Sequence, residues 1–286
     1  MRHRFDVRIG PVGFRIGSDW LGPITQLEEL YRDYPEPRDG IPDFTVRLFA
    51  ARPWRRFVRP AITIAGDYTI PDAAPLPLAQ GLLAAEMGMN LQMALAQRRY
   101  LLLHASAVER DGRALLMTGE SGSGKSTLAA LLSARGWRLM GDEFALVDLD
   151  DGSVHAFPRL LSLKNEAISV VELTLPAARF GPRMEGTPKG AIRHLVPNAQ
   201  AIEAMELPAA PALLLFPSFG FVAETRPVPP SEVFIRLTQA STNYVALGER
   251  GFDALIRIVA GVPAHAIDYP DTASAVTQVE ALWDAL

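Results

Sequence analysis

Apolar and polar positions alternate from the outset, with Phe5, Val7 and Ile9 before Gly10-Pro11 and Val12, Phe14 and Ile16 after it. A period of two marks a half-buried strand, so the spacing predicts two strands joined by a tight turn. Ile24, Leu27, Leu30 and Tyr31 then keep helical spacing, and Pro35, Pro37 and Pro42 close that element with a loop. Strand-like runs at 44–49 and 61–70 complete a small α+β unit expected to occupy residues 1–75. A longer helix is expected at 78–98, with Leu82, Leu83, Met87, Leu91 and Leu95 as its apolar positions. Glu86 and Asn90 stand four apart on one side of it, which suits either a structural pair or a site-facing role.

From Arg99 the pattern tightens. Residues 100–108 read as a strand, Asp111-Gly112 as a turn, and 114–117 as a second strand running straight into Gly119-Glu120-Ser121-Gly122-Ser123-Gly124-Lys125-Ser126-Thr127. Leu128, Leu131 and Leu132 continue as a helix that Gly136 closes, and a strand at 137–140 ends in Gly141-Asp142-Glu143. A hairpin at 144–149 and 154–157 follows. Residues 158–208, broken by Pro and Gly around GPRMEGTPKG, read as irregular structure over a site. Beyond them the pattern predicts a strand at 212–216, a helix capped by Ser231, a helix at 252–260, a strand at 264–269 and a helix from Thr272 to Leu286 after Asp271. Residues 76–286 are expected to form the second and larger domain.

Composition narrows the function more than the fold. The chain has 286 residues, 49% hydrophobic and 21% charged, the balance of a globular protein. Its 28 basic and 32 acidic residues leave a net charge of −4, so no global positive field exists to hold nucleic acid or an anionic membrane. An anion site must therefore be local. The absence of cysteine removes disulfides, thiolate catalysis, iron–sulfur clusters and the usual structural zinc sites, and fits a cytoplasmic setting. The first residues never build the continuous apolar core of a secretion signal, and Pro208, Pro211 and Pro217 interrupt the greasiest stretch, so no membrane anchor is expected.

Gly119 to Ser126 matches G-x-x-x-x-G-K-[ST], with a strand before it and a helix after it. Glycines in such a loop let successive N–H groups turn inward around phosphates, and the helix N-terminus adds a favourable dipole. Lys125 is placed to meet β/γ-phosphate charge and Ser126 to hold Mg²⁺, which makes ATP the expected ligand. Asp142 and Glu143 follow one helix and one strand later; a carboxylate there can accept a hydroxyl proton or hold Mg²⁺, or simply cap the strand end. His104 lies on the strand expected to lead back to this edge, where it either approaches the phosphates or packs as an ordinary histidine. Lys164, Lys189 and Arg193 are candidate phosphate cations, with surface charge as the alternative, and His194 and Thr187 share their neighbourhood. Arg52, Arg55, Arg56 and Arg59, interleaved with Trp54 and Phe57, suit an acidic or extended partner or a solvated surface.

His104, GESGSGKS and RGWRLMGDE together resemble the catalytic domain of the HPr kinase/phosphorylase family, whose fold is related to that of phosphoenolpyruvate carboxykinase. EMGMN, FPRLLSLKNEAI, GTPKGAIRHL and STNYVALGERGF are similar to a divergent branch, the HPr kinase-related kinases. Relatives of that kind occur with peptide-modification systems and include kinases that phosphorylate lasso-peptide precursors on serine. The resemblance implies an α/β P-loop kinase domain with a mixed sheet, ATP held by residues 119–127, and Mg²⁺ held by Ser126, Asp142 and Glu143. It further implies Asp142 as the base, His104 and Lys125 as its catalytic companions, a peptide or protein acceptor presenting a serine hydroxyl, and a homo-oligomer. Two departures count against HPr itself as substrate and against reverse phosphorolysis: Thr127 stands where the family has an acidic residue, and the segment associated with phosphorolysis has no clear counterpart. A small-molecule kinase and a nucleotide-dependent switch or ATPase are the competing readings.

Overall fold

The computed structural model describes residues 2–69 and 73–286. β1 (His3–Ile9) and β2 (Val12–Ser18) pair antiparallel with Ile9 opposite Val12, which buries Val7, Ile9, Val12, Phe14 and Ile16 as the alternation requires. α1 (Leu21–Leu30) turns Ile24, Leu27 and Leu30 inward. β3 (Phe44–Phe49) joins β2 in parallel, β4 (Ala61–Gly66) joins β3 antiparallel, and β5 (Leu76–Pro77) completes a five-stranded sheet ordered β1-β2-β3-β4-β5. Ile70, the expected end of the fourth strand, lies outside the described residues. α2 (Gly81–Ala96) packs on β3 and β4, where Gly88 leaves no space for a Cβ beside Val46. Glu86 of α2 accepts the Tyr31 hydroxyl at 2.9 Å, so its carboxylate serves this core.

The chain continues through β6 (Tyr100–Leu103), β7 (Ala105–Arg110), β8 (Arg113–Thr118), α3 (Lys125–Ser133), β9 (Arg138–Gly141), β10 (Ala145–Asp148), β11 (Val154–His155), β12 (Leu161–Lys164) and α4 (Glu166–Thr174). A hairpin of β13 (Met184–Thr187) and β14 (Gly190–Leu195) leads to α5 (Ala199–Glu203), β15 (Ala210–Phe219) and β16 (Glu224–Pro227). The rest is α6 (Pro230–Ala240), α7 (Tyr244–Leu247), α8 (Glu249–Gly261), β17 (Ala264–Tyr269) and α9 (Thr272–Asp284). Three expectations change. The strand expected at 100–108 is two strands, because β6 pairs with β10 whereas β7 pairs with β8 and β9, and the chain changes sheet at His104. Residues 158–208 are not irregular but carry β12, α4, β13, β14 and α5. Ser231 is not a cap: α6 starts one residue earlier at Pro230, whose fixed φ suits the first helical turn.

A six-stranded sheet ordered β16-β17-β15-β8-β7-β9 is the frame for the loop at 119–124. β17, β15 and β8 run parallel, while β16 and β7 are antiparallel to their neighbours. Parallel strands buried on both faces need continuous apolar runs, and Leu115, Leu116, Leu213, Leu214 and Leu215 are all fully buried. α3 covers this sheet with Leu128, Ala129 and Leu132. Trp137, just before β9, meets Trp283 of α9 edge to face with centroids 4.6 Å apart. No helix among the described residues is long and apolar enough to cross a membrane.

The chain divides into two compact units: Met1–Gln97 with Arg179–Val196, and Arg98–Ala178 with Pro197–Leu286. This differs from the expected division at residue 75. α2 packs on the first sheet and so belongs with it, burying Leu82, Met89 and Met93, whereas Met87 and Leu95, expected on its apolar face, are exposed. The β13–β14 hairpin also returns to that unit, where Gln80 donates to the Gly186 carbonyl at 3.2 Å.

Candidate functional site

Strand direction gathers the candidate residues of the second unit on one sheet edge. β8 delivers its C-terminal end, Thr118 and the loop; antiparallel β7 delivers its N-terminal end, with Ala105 opposite Thr118; β9 delivers Gly141, which lies opposite Ala107. Thr118 Oγ1 donates to the His104 carbonyl at 3.0 Å, stitching the two strand ends together. Ligands of α/β sheets bind outside the carboxyl ends of parallel strands, and this is such an edge.

The loop uses its glycines where the backbone demands them. Gly124 caps α3 with φ 95°, and a Cβ there would collide with the Tyr269 hydroxyl at the end of β17. Tyr269 donates that hydroxyl to the Ser123 carbonyl at 2.8 Å, and burial pushes its phenol pKa well up, so it stays neutral as a prop under the loop. Lys125 reaches back to donate to the carbonyls of Gly119 at 2.7 Å and Glu120 at 2.8 Å. Burial lowers the Lys125 pKa, Asp142 and Glu143 act against that, and Lys164 at the end of β12 adds to it. Lys164 is therefore near the loop, as one of the three candidate cations.

Asp142 is the hub. Only 3% exposed, its Oδ1 accepts the Ser126 hydroxyl at 3.0 Å and the Ser106 hydroxyl in a short contact, and its Oδ2 accepts the Ser162 N–H at 3.4 Å. Burial pushes its carboxyl pKa up, the neighbouring Glu143 charge pushes the same way, and the hydrogen bonds from Ser106, Ser126 and Ser162 pull it back. Glu143 departs toward His104, with Oε2 3.5 Å from Nδ1, and holds a left-handed backbone at φ 76°. Gly141 permits this turn, since a Cβ there would lie 2.6 Å from the Phe144 carbonyl. Ser126, Asp142, Glu143, His104 and Lys125 thus stand together. Glu120 and Ser121 lie exposed on the loop, and Thr127 begins the body of α3.

The remaining candidates belong to the first unit. Arg193 donates to the Gly181 carbonyl at 2.9 Å and lies 5.0 Å over Phe180; Thr187 closes the β13–β14 turn by donating to Gly190, with Lys189 in that turn. His194 is buried. Arg55 lies 4.7 Å over Trp54, and Arg56 donates to the Asp19 carbonyl at 2.6 Å, leaving Trp54 and Phe57 exposed.

Ser106, Ser162 and Tyr269 were not singled out in the sequence. A signal existed for the first, a lone hydroxyl inside the apolar run Ala105-Ser106-Ala107-Val108. Tyr269 carried none, because only strand pairing brings residue 269 to residue 123.

The family described as SynChlorMet cassette protein ScmC matches residues 82–170, less than half of the chain. That stretch contains His104, the loop, Asp142, Glu143 and Lys164. No curated protein matches. Among solved structures, the Hpr(Ser) kinase/phosphatase from Coxiella burnetii is similar over 65% of this chain and 99% of its own, at 16% identity and a TM-score of 0.30. The chain is an α/β protein whose loop, Lys125, Ser126, Asp142 and His104 share one sheet edge.

Proposed function

We propose that this protein is an ATP-dependent kinase that uses Mg²⁺ and transfers the γ-phosphoryl group to a serine hydroxyl of a peptide or protein. The observation that carries this reading is the hydrogen bond from Ser126 to Asp142, which joins the first turn of α3 to the end of β9. It sets a hydroxyl, a carboxylate and the Lys125 ammonium around one point at a helix N-terminus, where anions are stabilised. The serine acceptor follows the resemblance of the motifs to the HPr kinase-related kinases.

The donor set fits Mg²⁺. Ser126 and Asp142 offer adjacent hard oxygens, with Glu143 next in the chain, and Mg²⁺ takes one or two carboxylates together with phosphate oxygens. When bound, the ion neutralises charge on the phosphates. Asp142 accepts the proton of the acceptor hydroxyl as the new O–P bond forms and the bond to ADP breaks; Lys125 compensates the charge on the departing phosphates. Glu143 holds His104 toward the same edge. A switch or ATPase would share the loop but has no need of an acceptor.

The test is transfer of label from ATP in a lysate of the source cell, with the labelled species then identified. A labelled peptide or protein carrying phosphoserine is the expected result, and Lys125→Ala abolishes it along with ATP binding. Release of phosphate to water with no labelled acceptor would overturn the kinase reading, and a labelled metabolite would move the acceptor to a small molecule.

A further inference from the structure

An extended triphosphate has two ends, and the residues around the loop distinguish them. Asp142, Glu143 and His104 lie on the flank of β8 formed by β7 and β9. The reacting γ end therefore faces that flank. The opposite flank, over the C-terminal ends of β15 and β17, is then the one open to the α end, ribose and base.

That flank is aromatic. β15 ends at Phe219, Gly220-Phe221-Val222 follow, and β17 ends at Tyr269. Phe219 and Tyr269 stand 5.8 Å apart between ring centroids, and Gly220 N–H donates to the Tyr269 carbonyl at 2.9 Å. The same Tyr269 supports the loop through Ser123, and the Pro217 carbonyl lies 3.6 Å from where a Cβ on Gly119 would sit. The aromatic segment is thus built onto the loop itself. Yet Phe219 is 49% exposed, Phe221 59% and Val222 88%. Single exposed apolar side chains are ordinary on protein surfaces, but here three fall within four positions of a segment that abuts the loop.

We propose that Phe219 and Phe221 form the stacking surface for the base of the bound nucleotide, with a purine as the fitting partner because it offers the larger π-face. The inference rests on the nucleotide reading above and adds the position of the base. Stacking on aromatic side chains tolerates the identity of the base. The surface accordingly favours a nucleoside triphosphate over a bare polyphosphate.

Calorimetry on the full chain with Mg²⁺ separates the parts, using ATP and inorganic tripolyphosphate as the two probes. Phe221→Ala is expected to weaken ATP by about tenfold, within the range of base–aromatic stacking, and to leave tripolyphosphate unchanged. Phe221→Tyr should restore ATP. Phe219 touches Tyr269, so Phe219→Ala is read only through the ratio of the two affinities. The proposal is overturned if ATP affinity survives in the Phe219→Ala/Phe221→Ala double variant, or if both probes weaken equally. A wild-type protein that binds both probes equally well removes the stacking surface and leaves the phosphate loop standing. A wild-type protein that binds neither removes the nucleotide reading as well.

Discussion

Asp142 and Glu143 are adjacent in the chain yet do opposite things: one is buried under three hydrogen bonds, the other swings out on a left-handed backbone to meet His104. Asp142→Asn preserves shape and removes proton acceptance. Phosphoryl transfer should fall by about 10² to 10⁴ while ATP affinity shifts by less than about tenfold, which single-turnover kinetics and calorimetry read separately. Glu143→Gln carrying the larger loss instead would exchange the two roles. The φ of 76° at Glu143 also has a stability consequence, since a left-handed non-glycine residue costs about 1–2 kcal/mol. Glu143→Gly should therefore raise Tm by a few degrees, after the greater chain entropy of glycine is subtracted, while slowing transfer. An unchanged or lower Tm would show that the His104 contact outweighs the strain. At this scale the strand, glycine-rich loop and helix around 119–127 were legible, because their pattern is written in consecutive residues. Ser106 and Ser162 were not, because each gains meaning only by touching Asp142.

Strands read well where apolar residues recur at every second position, as at Val7 and Ile9 of β1 and Val12, Phe14 and Ile16 of β2, whereas α2 was placed but its stripe was not: Met89 and Met93 are buried, and Met87 and Leu95 are exposed. The break at His104 was hidden inside a run that is buried on both sides of it: periodicity reports burial, and Leu103 and Ala105 are equally buried in two different sheets. Pro and Gly concealed β13 and β14 in the same way, by punctuating a hairpin whose turn they build. α9 was legible through its cap, and the structure shows why. Asp271 accepts the Ser274 N–H at 2.8 Å, and that bond, with the Ser274 hydroxyl, holds its carboxyl below the usual range. A depressed carboxyl stabilises the fold above its unfolded pKa of about 4 and loses that contribution as pH falls through its lower folded value. Asp271→Ala should thus lower Tm at neutral pH, with the gap from wild type narrowing in acid, whereas Asp271→Asn keeps most of the cap. A gap that stayed constant from neutral pH down to about pH 3 would deny the carboxylate its part.

At the scale of the whole molecule, the division into units escaped the sequence because the first unit is discontinuous: Arg179–Val196 return to it, and Val196 N–H donates to the Arg179 carbonyl at 2.9 Å, so the excursion starts and ends side by side. The six-stranded sheet has a discontinuity of its own. β8 carries the glycine-rich loop, with one flank from β7 and β9 and the other from β15 and β17. On the ribosome these flanks arrive at different times. A nascent chain halted after Leu207 has made every residue proposed for the chemistry, but its β8 presents a bare apolar edge and its loop lacks the Tyr269 prop. Such a chain should bind no ATP and be cut by protease, with resistance appearing in arrested-translation products only once Tyr269 has emerged. Protection in chains that end before β15 would refute this. An unfinished copy would then hold the full proposed reactive set and remain inert, so that completion of synthesis itself would license the proposed chemistry.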